Sequence, residues 1–337
     1  LNMKYFAFTY DKVMTNQKFS DLFGITPRNE GSKAEQIHYD IAASAQSVLE
    51  DILLKMVNHV YKKTNMKNLC FGGGVALNGV ANHKILKDGP FEKIHIPPSP
   101  GDAGSAVGCA QYSYFCHEKN KRTIQSNSER IKNNIYVGPS FTNDEIKSYL
   151  NTKNIECEFL ETDELLKTTA KLISEQNIVG WYQGKMEWGP RALGNRSILA
   201  DPRIPEMKDI LNEKIKHRES FRPFAPSILN EYVSEYFELD VPSPYMLLVA
   251  KIKKPDKIPA VTHVDGTGRL QSVSKDVNPL YYNLINEFYK ISGVPVIINT
   301  SMNVMGEPIV NTPEEAYNML RKTDMDNLII GNFIISG

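Results

Sequence analysis

The chain has 337 residues, of which 41% are hydrophobic and 23% charged, and its 39 basic side chains balance 39 acidic ones. A length above about 250–300 residues favours two domains, each large enough for its own hydrophobic core. No stretch approaches the roughly 20 apolar residues of a membrane span, and the zero net charge argues against a dedicated nucleic-acid binder. The 4 cysteines lack CxxC spacing, which argues against a zinc site or a disulfide framework. We therefore expect a soluble, cytoplasmic protein.

The first third of the sequence predicts an α/β unit. Apolar residues at helical spacing predict a long helix over residues 34–63, and residues 68–71 predict a short buried strand. That strand runs into three glycines at 72–74, after which a helical pattern resumes. A second strand over 94–96 precedes Asp102, which we expect to cap the next helix.

Residues 117–134 are polar, charged and without hydrophobic periodicity, so they predict an interdomain linker or a surface excursion. We place a domain boundary there, between a first domain of residues 1–125 and a second of residues 126–337. The second domain alternates predicted helices (142–151, 163–176, 205–216, 279–291 and one that begins after 312) with predicted strands (178–182, 225–229, 245–252 and 294–299). This domain is therefore also mixed α and β.

The densest group of functional residue types lies in the segment 184–197, directly after a predicted strand. The guanidinium groups of Arg191 and Arg196 and the amine of Lys185 suit phosphate or carboxylate oxygens, and the glycines let backbone N–H groups approach an anion. We expect an anion-binding loop in which Glu187 orients one of the arginines. The alternative is a surface loop with ordinary solvated charges.

Three other segments are weaker candidates. The patch 216–224 mixes cations with aromatic residues, and we expect Arg222 to point into a site; the alternative is a helix C-terminus followed by core aromatics. The run 299–308 places amide and hydroxyl groups at the end of an apolar strand, where open α/β sheets bind ligands, although turn chemistry also explains it. His263 and Asp265 suit acid–base chemistry, but a plain β-turn is the simpler interpretation.

The glycine turn at 72–74 follows a strand and opens a helix, so its backbone amides suit a phosphate or an adenosine. It matches neither the Walker A motif nor the GxGxxG pattern and is weak evidence alone. Asp102 stands at a helix start, where a carboxylate is either a cap or a metal or nucleotide ligand. The histidines include no HxxxH pair, so the sequence holds no complete metal site.

Taken together, the motifs resemble the NodU/CmcH family of carbamoyltransferases over most of the chain. The segments that carry the resemblance, in the family's order, are DIAASAQ (40–46), FGGGVALNGVAN (71–82), PGDAGSAVG (100–108), KMEWGPRALGNRSILADPR (185–203), FRPFAPSIL (221–229), HVDGTGRLQ (263–271) and NTSMNVMGEPIV (299–310). The family joins a TsaD-like domain, of the actin-like ATPase superfamily, to a YrdC-like domain. The resemblance therefore implies the tail of a TsaD-like domain over 1–125, followed by a mixed α/β YrdC-like domain over 126–337.

The resemblance also implies a reaction with two stages. ATP and carbamoyl phosphate give carbamoyl-adenylate in the YrdC-like domain, and the TsaD-like domain passes the carbamoyl group to a hydroxyl of a small-molecule acceptor. The implied catalytic residues, which hold phosphate oxygens, are Lys185, Arg191, Arg196 and Arg222. The implied nucleotide-binding residues are Gly73, Gly74, Asn78, Asn195, Ser197, Ser301 and Asn303.

The family's metal site combines an HxxxH pair from an earlier part of the TsaD-like domain with an aspartate that matches Asp102. The resemblance thus implies a divalent metal, iron or magnesium, in a longer protein. Because the pair is absent here, we predict a truncated chain in which adenylate formation survives and transfer is lost or crippled. We expect no nucleic-acid or membrane partner, while a homo-oligomer stays open. Two alternatives also stay open: a threonylcarbamoyl-type tRNA-modification enzyme, which the neutral charge disfavours, and a non-catalytic nucleotide-binding module.

Overall fold

The computed structural model describes residues 2–29, 32–123 and 125–337. Its α-helices are α1 (Gln17–Phe23), α2 (Gln36–Thr64), α3 (Gly79–Asp88), α4 (Asp102–Tyr112), α5 (Asn127–Ile135), α6 (Asn143–Thr152), α7 (Thr162–Ser174), α8 (Met207–Ile210), α9 (Val233–Tyr236), α10 (Pro279–Ser292) and α11 (Pro313–Lys322). Its strands are β1 (Asn68–Cys70), β2 (Lys93–His95), β3 (Glu158–Phe159), β4 (Val179–Tyr182), β5 (Arg196–Ala200), β6 (Ala225–Leu229), β7 (Leu248–Lys251), β8 (Thr267–Val273), β9 (Val296–Ser301), β10 (Asn327–Ile330) and β11 (Phe333–Ser336). Two compact units, residues 1–52 and 53–337, make up the chain.

The unit of residues 1–52 is built around a short helix and aromatic contacts. Helix α1 is capped at its start by Asn16, whose side chain accepts a backbone N–H of the first turn, and at its end by Gly24 in the left-handed conformation. The rings of Phe19 and Phe23, one turn apart on this helix, lie 4.8 Å from each other. These local contacts organise the helix without a large core.

The unit of residues 53–337 contains two sheets. Strands β1 and β2 form a parallel pair next to the glycine turn. In the described part of this unit, nine strands form one mixed sheet in the order β3-β11-β10-β4-β5-β9-β6-β8-β7. The pairs β10–β4 and β6–β8 are parallel, and the other neighbours are antiparallel. This arrangement confirms the predicted α/β class.

Hydrophobic cores lie on both faces of the large sheet. On one face, side chains of α7 and α10 such as Ile173 and Phe288 pack against Leu199 and Val273 of the strands. On the other face, Ile198 and Ile298 pack with residues of α6, α8 and α11. The strands between these layers are buried on both sides, which explains their nearly continuous apolar sequence.

Most predicted elements of the second half are present in the structure. Strand β6 has the predicted bounds, 225–229, and α11 begins with the predicted Thr312, which forms a capping box with Glu315. The segment 117–134, predicted as a linker or a surface excursion, is helical in its second half, because α5 begins there with Ser126 as its cap and buries Ile135. Residue 124 of that linker lies outside the described residues, and the boundary near 125 stays a prediction.

Sequence periodicity missed several strands. Strand β5 begins inside the segment that we predicted as a loop, and β8 begins inside the predicted turn at 263–269. Strands β10 and β11 are short apolar runs that we did not assign. Among the described residues, no helix has both the length and the apolar character that a bilayer crossing requires.

Candidate functional site

One face of the nine-stranded sheet is apolar at one end and polar at the other. Residues paired directly across strands share a face, and the register pairs Ser197 with Ser301 and Ser227 with Gln271. Farther along the same face, Leu199 and its apolar neighbours lie under α7 and α10. The polar end instead contacts the segment between β4 and β5, which we call the 183–195 loop.

A buried network of amide and hydroxyl groups connects the sheet to this loop. The Asn299 amide nitrogen donates to Ser227 Oγ at 3.0 Å, to Gln271 Oε1 at 2.9 Å and to the Ala192 carbonyl at 3.2 Å. The Gln271 amide nitrogen donates to the Leu193 carbonyl at 2.9 Å. Because these groups are buried, losing one partner would leave the others unsatisfied. The network fixes the end of the loop over the sheet.

The Glu187 carboxylate anchors the same loop from inside. Its Oε1 accepts the backbone N–H groups of Leu193 and Asn195, each at 2.7 Å, and that of Arg196 at 3.1 Å. The expectation that Glu187 orients an arginine side chain is therefore wrong, because its hydrogen bonds go to the backbone. A buried carboxylate with three N–H donors closes the loop on itself.

The guanidinium of Arg196 is fully buried and is bound by carbonyl groups. It donates to the carbonyls of Gln183 at 2.7 Å, Gly184 at 3.2 Å and Pro139 at 3.2 Å. Its central carbon lies 3.7 Å from the centroid of the Tyr182 ring, its cross-strand partner. In this arrangement Arg196 holds the start and the end of the loop together. The catalytic role that we predicted for it stays a prediction.

Lys216 ends a π-helical segment, Leu211–Lys216, and its amine is buried beside the end of β9. The amine donates to the backbone carbonyl of Asn303 at 2.8 Å and to its side-chain oxygen at 3.0 Å, and also reaches Ser301 Oγ at 3.3 Å. Burial first, and then the charge of Arg218, lowers the pKa of Lys216 to about 7. The structure thus joins the predicted pair Ser301 and Asn303 to a lysine. π-Helical turns are frequent at functional sites.

Lys216 belongs to a group of four buried or half-buried cations, Arg191, Lys216, Arg218 and Arg269, which we call the cation cluster. Burial first, and then the charges of Arg191 and Arg218, lowers the pKa of Arg269 to about 9. Burial also lowers the pKa of Arg191, and its Nε and that of Arg269 are buried without a hydrogen-bond partner. Within the described ranges, Arg191, Lys216 and Arg269 form no ion pair with a carboxylate. Unneutralised buried cations destabilise a fold, and a bound anion would offset that cost.

Two predicted site residues lie apart from these contacts. Lys185 is exposed on the loop, and Arg222 is exposed with its Nε 2.9 Å from a carboxylate oxygen of Glu219. Burial first, and then the charge of Arg222, lowers the pKa of Arg218, so Arg222 adds to the positive field from the surface. Their direct roles in binding remain predictions.

The remaining loop residues Asn195 and Ser197 are buried and bound to the loop itself. The Asn195 amide nitrogen donates to the Lys185 carbonyl at 2.7 Å, and Ser197 Oγ accepts the Gly194 N–H at 3.1 Å. Asn195 Oδ1 also accepts from the Asn278 amide at 2.9 Å. These contacts shape the loop, and nucleotide binding by the two residues stays a prediction.

The predicted nucleotide turn of the first domain is open. Gly73 has a φ of +95°, and its N–H donates to the Pro100 carbonyl at 2.7 Å. A Cβ at Gly73 or Gly74 would meet nothing within 4 Å. The side chain of Asn78 accepts the Ala81 N–H at 3.0 Å and caps α3. The turn has room for a ligand, and its nucleotide contacts stay predictions.

Asp102 does not fit a metal site by itself. It lies exposed in the first turn of α4, and Gly101 occupies the N-cap position that we had assigned to Asp102. Over residues 2–29, 32–123 and 125–337, no three His, Cys, Asp or Glu side chains are grouped so that they could hold a metal ion. The side chains described here therefore do not form the metal site that the resemblance implies.

Sequence reasoning missed three members of the cation cluster. Lys216 and Arg218 stand in the patch from which we chose Arg222, and the spacing K-x-R gave no sign of which cation is buried. Arg269 is the last residue of the segment 263–269 that we predicted as a turn, and the turn is present because Asp265 accepts the N–H of Thr267. The only available signal was that Arg269 lies in an alternating run, TGRLQSV, which forms β8.

A separate cavity of about 250 Å³ lies beside the carboxyl ends of the parallel strands β6 and β8. Ile131, Val273 and Asn278 are among its lining residues, and no member of the cation cluster lines it. Tyr136, also in the lining, donates its hydroxyl to the Leu193 carbonyl at 2.8 Å. The cavity is therefore close to the back of the 183–195 loop but is not the cationic site.

Comparison with known proteins gives two family matches on the chain. Residues 1–111 match the model described as carbamoyltransferase N-terminus, and residues 170–337 match the one described as carbamoyltransferase C-terminus. The chain is 43% identical to the uncharacterized protein sll1178 of Synechocystis, with 100% of the chain and 58% of the relative aligned. It is 40% identical to nodulation protein NolO of Bradyrhizobium diazoefficiens (93% of the chain, 57% of the relative) and 35% identical to nodulation protein U of Sinorhizobium fredii (85% and 48%).

Solved structures give only distant likenesses. Full-length HypF in its phosphate- and nucleotide-bound form has a TM-score of 0.36 and 22% identity, covering 50% of this chain and 25% of HypF. YciO of E. coli has a TM-score of 0.37 and 16% identity, covering 52% of this chain and 82% of YciO. Scores this low carry no argument about fold or function.

The two matches and these relatives define the class as carbamoyltransferases. The chain belongs to this family, which confirms the resemblance that its motifs indicated. The chain spans about half the length of the curated relatives it matches. The N-terminal and the C-terminal family models both match within the chain, and the prediction of a truncated chain stays a prediction.

Proposed function

We propose that the chain takes part in ATP-dependent O-carbamoyl transfer and that the cation cluster is where carbamoyl-adenylate forms. In the first stage, water cleaves carbamoyl phosphate to carbamate and phosphate, and a carbamate oxygen then attacks the α-phosphorus of ATP, which gives carbamoyl-adenylate and releases pyrophosphate. In the second stage, a hydroxyl oxygen of a small-molecule acceptor attacks the carbamoyl carbon and AMP leaves. The observation that carries the proposal is the group of buried and half-buried cations in which Arg191, Lys216 and Arg269 have no carboxylate partner among the described residues.

The first stage brings two strongly negative substrates into one pocket. Their mutual repulsion is large in water and larger in a buried site, so cations must already be in place when the second anion arrives. Arg269 and Arg191 supply free Nε–H donors from the sheet and from the loop. Lys216, bound to Ser301 and Asn303, supplies a compact charge next to Arg218. Guanidinium groups match the geometry of phosphate oxygens, which favours this use of the cluster.

Other residues have supporting roles in the proposal. Arg196 and Glu187 keep the 183–195 loop closed, so that Arg191 is presented to the pocket. Lys185 and Arg222 add charge at its exposed side. The open turn at 72–74, with Asn78, is the proposed nucleotide contact of the transfer stage. We assign no step to a metal.

The test is pyrophosphate release from ATP with and without carbamoyl phosphate. We expect release only when both substrates are present, and an Arg269→Met variant should reduce it by about 10²–10³-fold, the usual cost of removing one group that stabilises developing charge. Arg321→Met, a change of an exposed arginine on α11, is the matched control and should leave the rate unchanged. ATP turnover that ignores carbamoyl phosphate would refute the proposal.

A further inference from the structure

Asn212 is a buried amide in the π-helical segment before the cation cluster, and only 1% of its surface is exposed. Its Oδ1 accepts the Nε–H of Arg218 at 2.7 Å. Its Nδ2 donates to the carbonyl of Arg222 at 2.9 Å and reaches that of Ser220 at 3.4 Å. Its backbone carbonyl accepts the N–H of Arg218 at 3.1 Å. One side chain therefore binds both the guanidinium of Arg218 and the backbone that carries it.

Arg218 needs such a clamp because its neighbours repel it. Its charge lowers the pKa of Lys216 and of Arg269, so it is repelled by both, and Arg222 repels it as well, whereas the charge of Glu219 attracts it. A half-buried guanidinium in this field would gain free energy by turning into water. The ring of Phe224, 4.8 Å from the guanidinium carbon, supports one face but offers no directional bond. Two hydrogen bonds supply direction: a long one from Arg218 Nη2 to the Pro223 carbonyl at 3.4 Å, and the much shorter one from Nε to Asn212 at 2.7 Å.

The chemistry of an amide suits this task better than that of a carboxylate. Both groups can accept the Arg218 Nε–H, but a carboxylate would neutralise the guanidinium and cannot donate to the Arg222 carbonyl. The neutral amide does both and leaves the positive charge of the cluster intact.

We infer that Asn212 is a positioning residue: a neutral clamp that holds Arg218 in the cation cluster before an anion binds. The inference rests on the proposed function only in taking the anion to be a substrate phosphate. The arrangement of the cation cluster before binding determines how tightly any polyphosphate binds.

The experiment is a double-mutant cycle read by calorimetric titration with inorganic pyrophosphate and with ATP. We expect Asn212→Ala to weaken binding about tenfold and Arg218→Ala to weaken it at least as much. If Asn212 acts through Arg218, the double variant should bind within about twofold of Arg218→Ala. A general structural role would instead give additive losses, so additivity, or an Asn212→Ala affinity equal to that of the wild type, would overturn the inference.

A second variant covers the case in which Asn212→Ala fails to fold. Asn212→Asp has the same shape and retains the acceptor, but it adds a negative charge. We expect it to fold and to bind pyrophosphate at least tenfold more weakly at low salt; wild-type affinity would overturn the inference. Turnover of ATP without carbamoyl phosphate would refute the proposed function alone, because the binding cycle does not depend on carbamoyl transfer.

Discussion

Replacing Glu187 with alanine tests whether its carboxylate closes the 183–195 loop. The change leaves three buried N–H groups, those of Leu193, Asn195 and Arg196, without their acceptor. Each unsatisfied buried group costs about 1–3 kcal/mol, and removing a carboxylate whose Oε2 already lacks a partner offsets part of the loss. We expect the free energy of unfolding to fall by about 3 kcal/mol. For a domain of this size, that lowers Tm by about 6–12 °C.

The assay is urea unfolding followed by tryptophan fluorescence. Trp181 is fully buried and its Nε1–H donates to the Gly194 carbonyl at 2.9 Å, so its emission reports on the loop. Glu187→Gln keeps one oxygen acceptor and should lose about half as much stability. Glu213→Ala, at an exposed position, is the matched control and should change stability by less than about 0.5 kcal/mol. A Glu187→Ala chain within about 1 kcal/mol of the wild type would refute this account of the loop.

Three further predictions concern the cation cluster and the backbone of the loop. Arg269→Met should raise the free energy of unfolding by about 1–3 kcal/mol, because it removes a buried charge that neighbouring cations repel. The same loss of charge should lower the affinity for pyrophosphate at least tenfold. A variant that is less stable than the wild type in chemical unfolding would contradict this. The folded pKa of Lys216 is lowered from 10.5 to about 7, so the amine loses its charge above that pH. Pyrophosphate affinity measured by calorimetry should therefore fall as pH rises through about 7, and a Lys216→Arg variant should show no such fall. Because the unfolded chain then binds more protons than the native state, stability should rise between about pH 7 and about pH 10.5, and Lys216→Met should lack this rise. Gly194→Ala should lower the free energy of unfolding by about 3 kcal/mol or more in thermal unfolding, because φ is +103° and the new Cβ would lie 2.2 Å from the Tyr281 ring. The control Gly306→Ala, at φ +84° in open space, should cost about 1 kcal/mol. Equal losses would show that the ring contact is unimportant.

Much of the fold followed from local patterns. The long helix before the glycine turn, strand β6 and the start of α11 after Thr312 were predicted because each depends on neighbours within a few positions of the chain. Strand β8 was not predicted, because Asp265 and Gly266 gave its start the composition of a turn. Helix α5 was missed because only Ile131 and Ile135 supply its apolar side.

The candidate site was predicted by residue type and only partly by position. The sequence marked the 183–195 loop as unusual because its glycines and cations are dense, and it marked Ser301 and Asn303 because they end an apolar strand. It could not distinguish Arg196, whose terminal nitrogens bind the carbonyls of its own loop, from Arg191, whose charge acts on the buried Arg269. Both are arginines within six positions, so composition treats them alike.

By itself, the sequence determined the family, the α/β class and the place where cations and glycines are concentrated, because motifs and periodicity are local properties of the chain. Only the tertiary structure decided which cations are buried together. Lys216 is far from Ser301 along the chain, yet the π-helical turn brings the two into hydrogen-bond contact. Arg191 is also far from Arg269, yet the strand register brings them close enough to interact electrostatically. Burial and mutual repulsion depend on distance in space, which no residue pattern records.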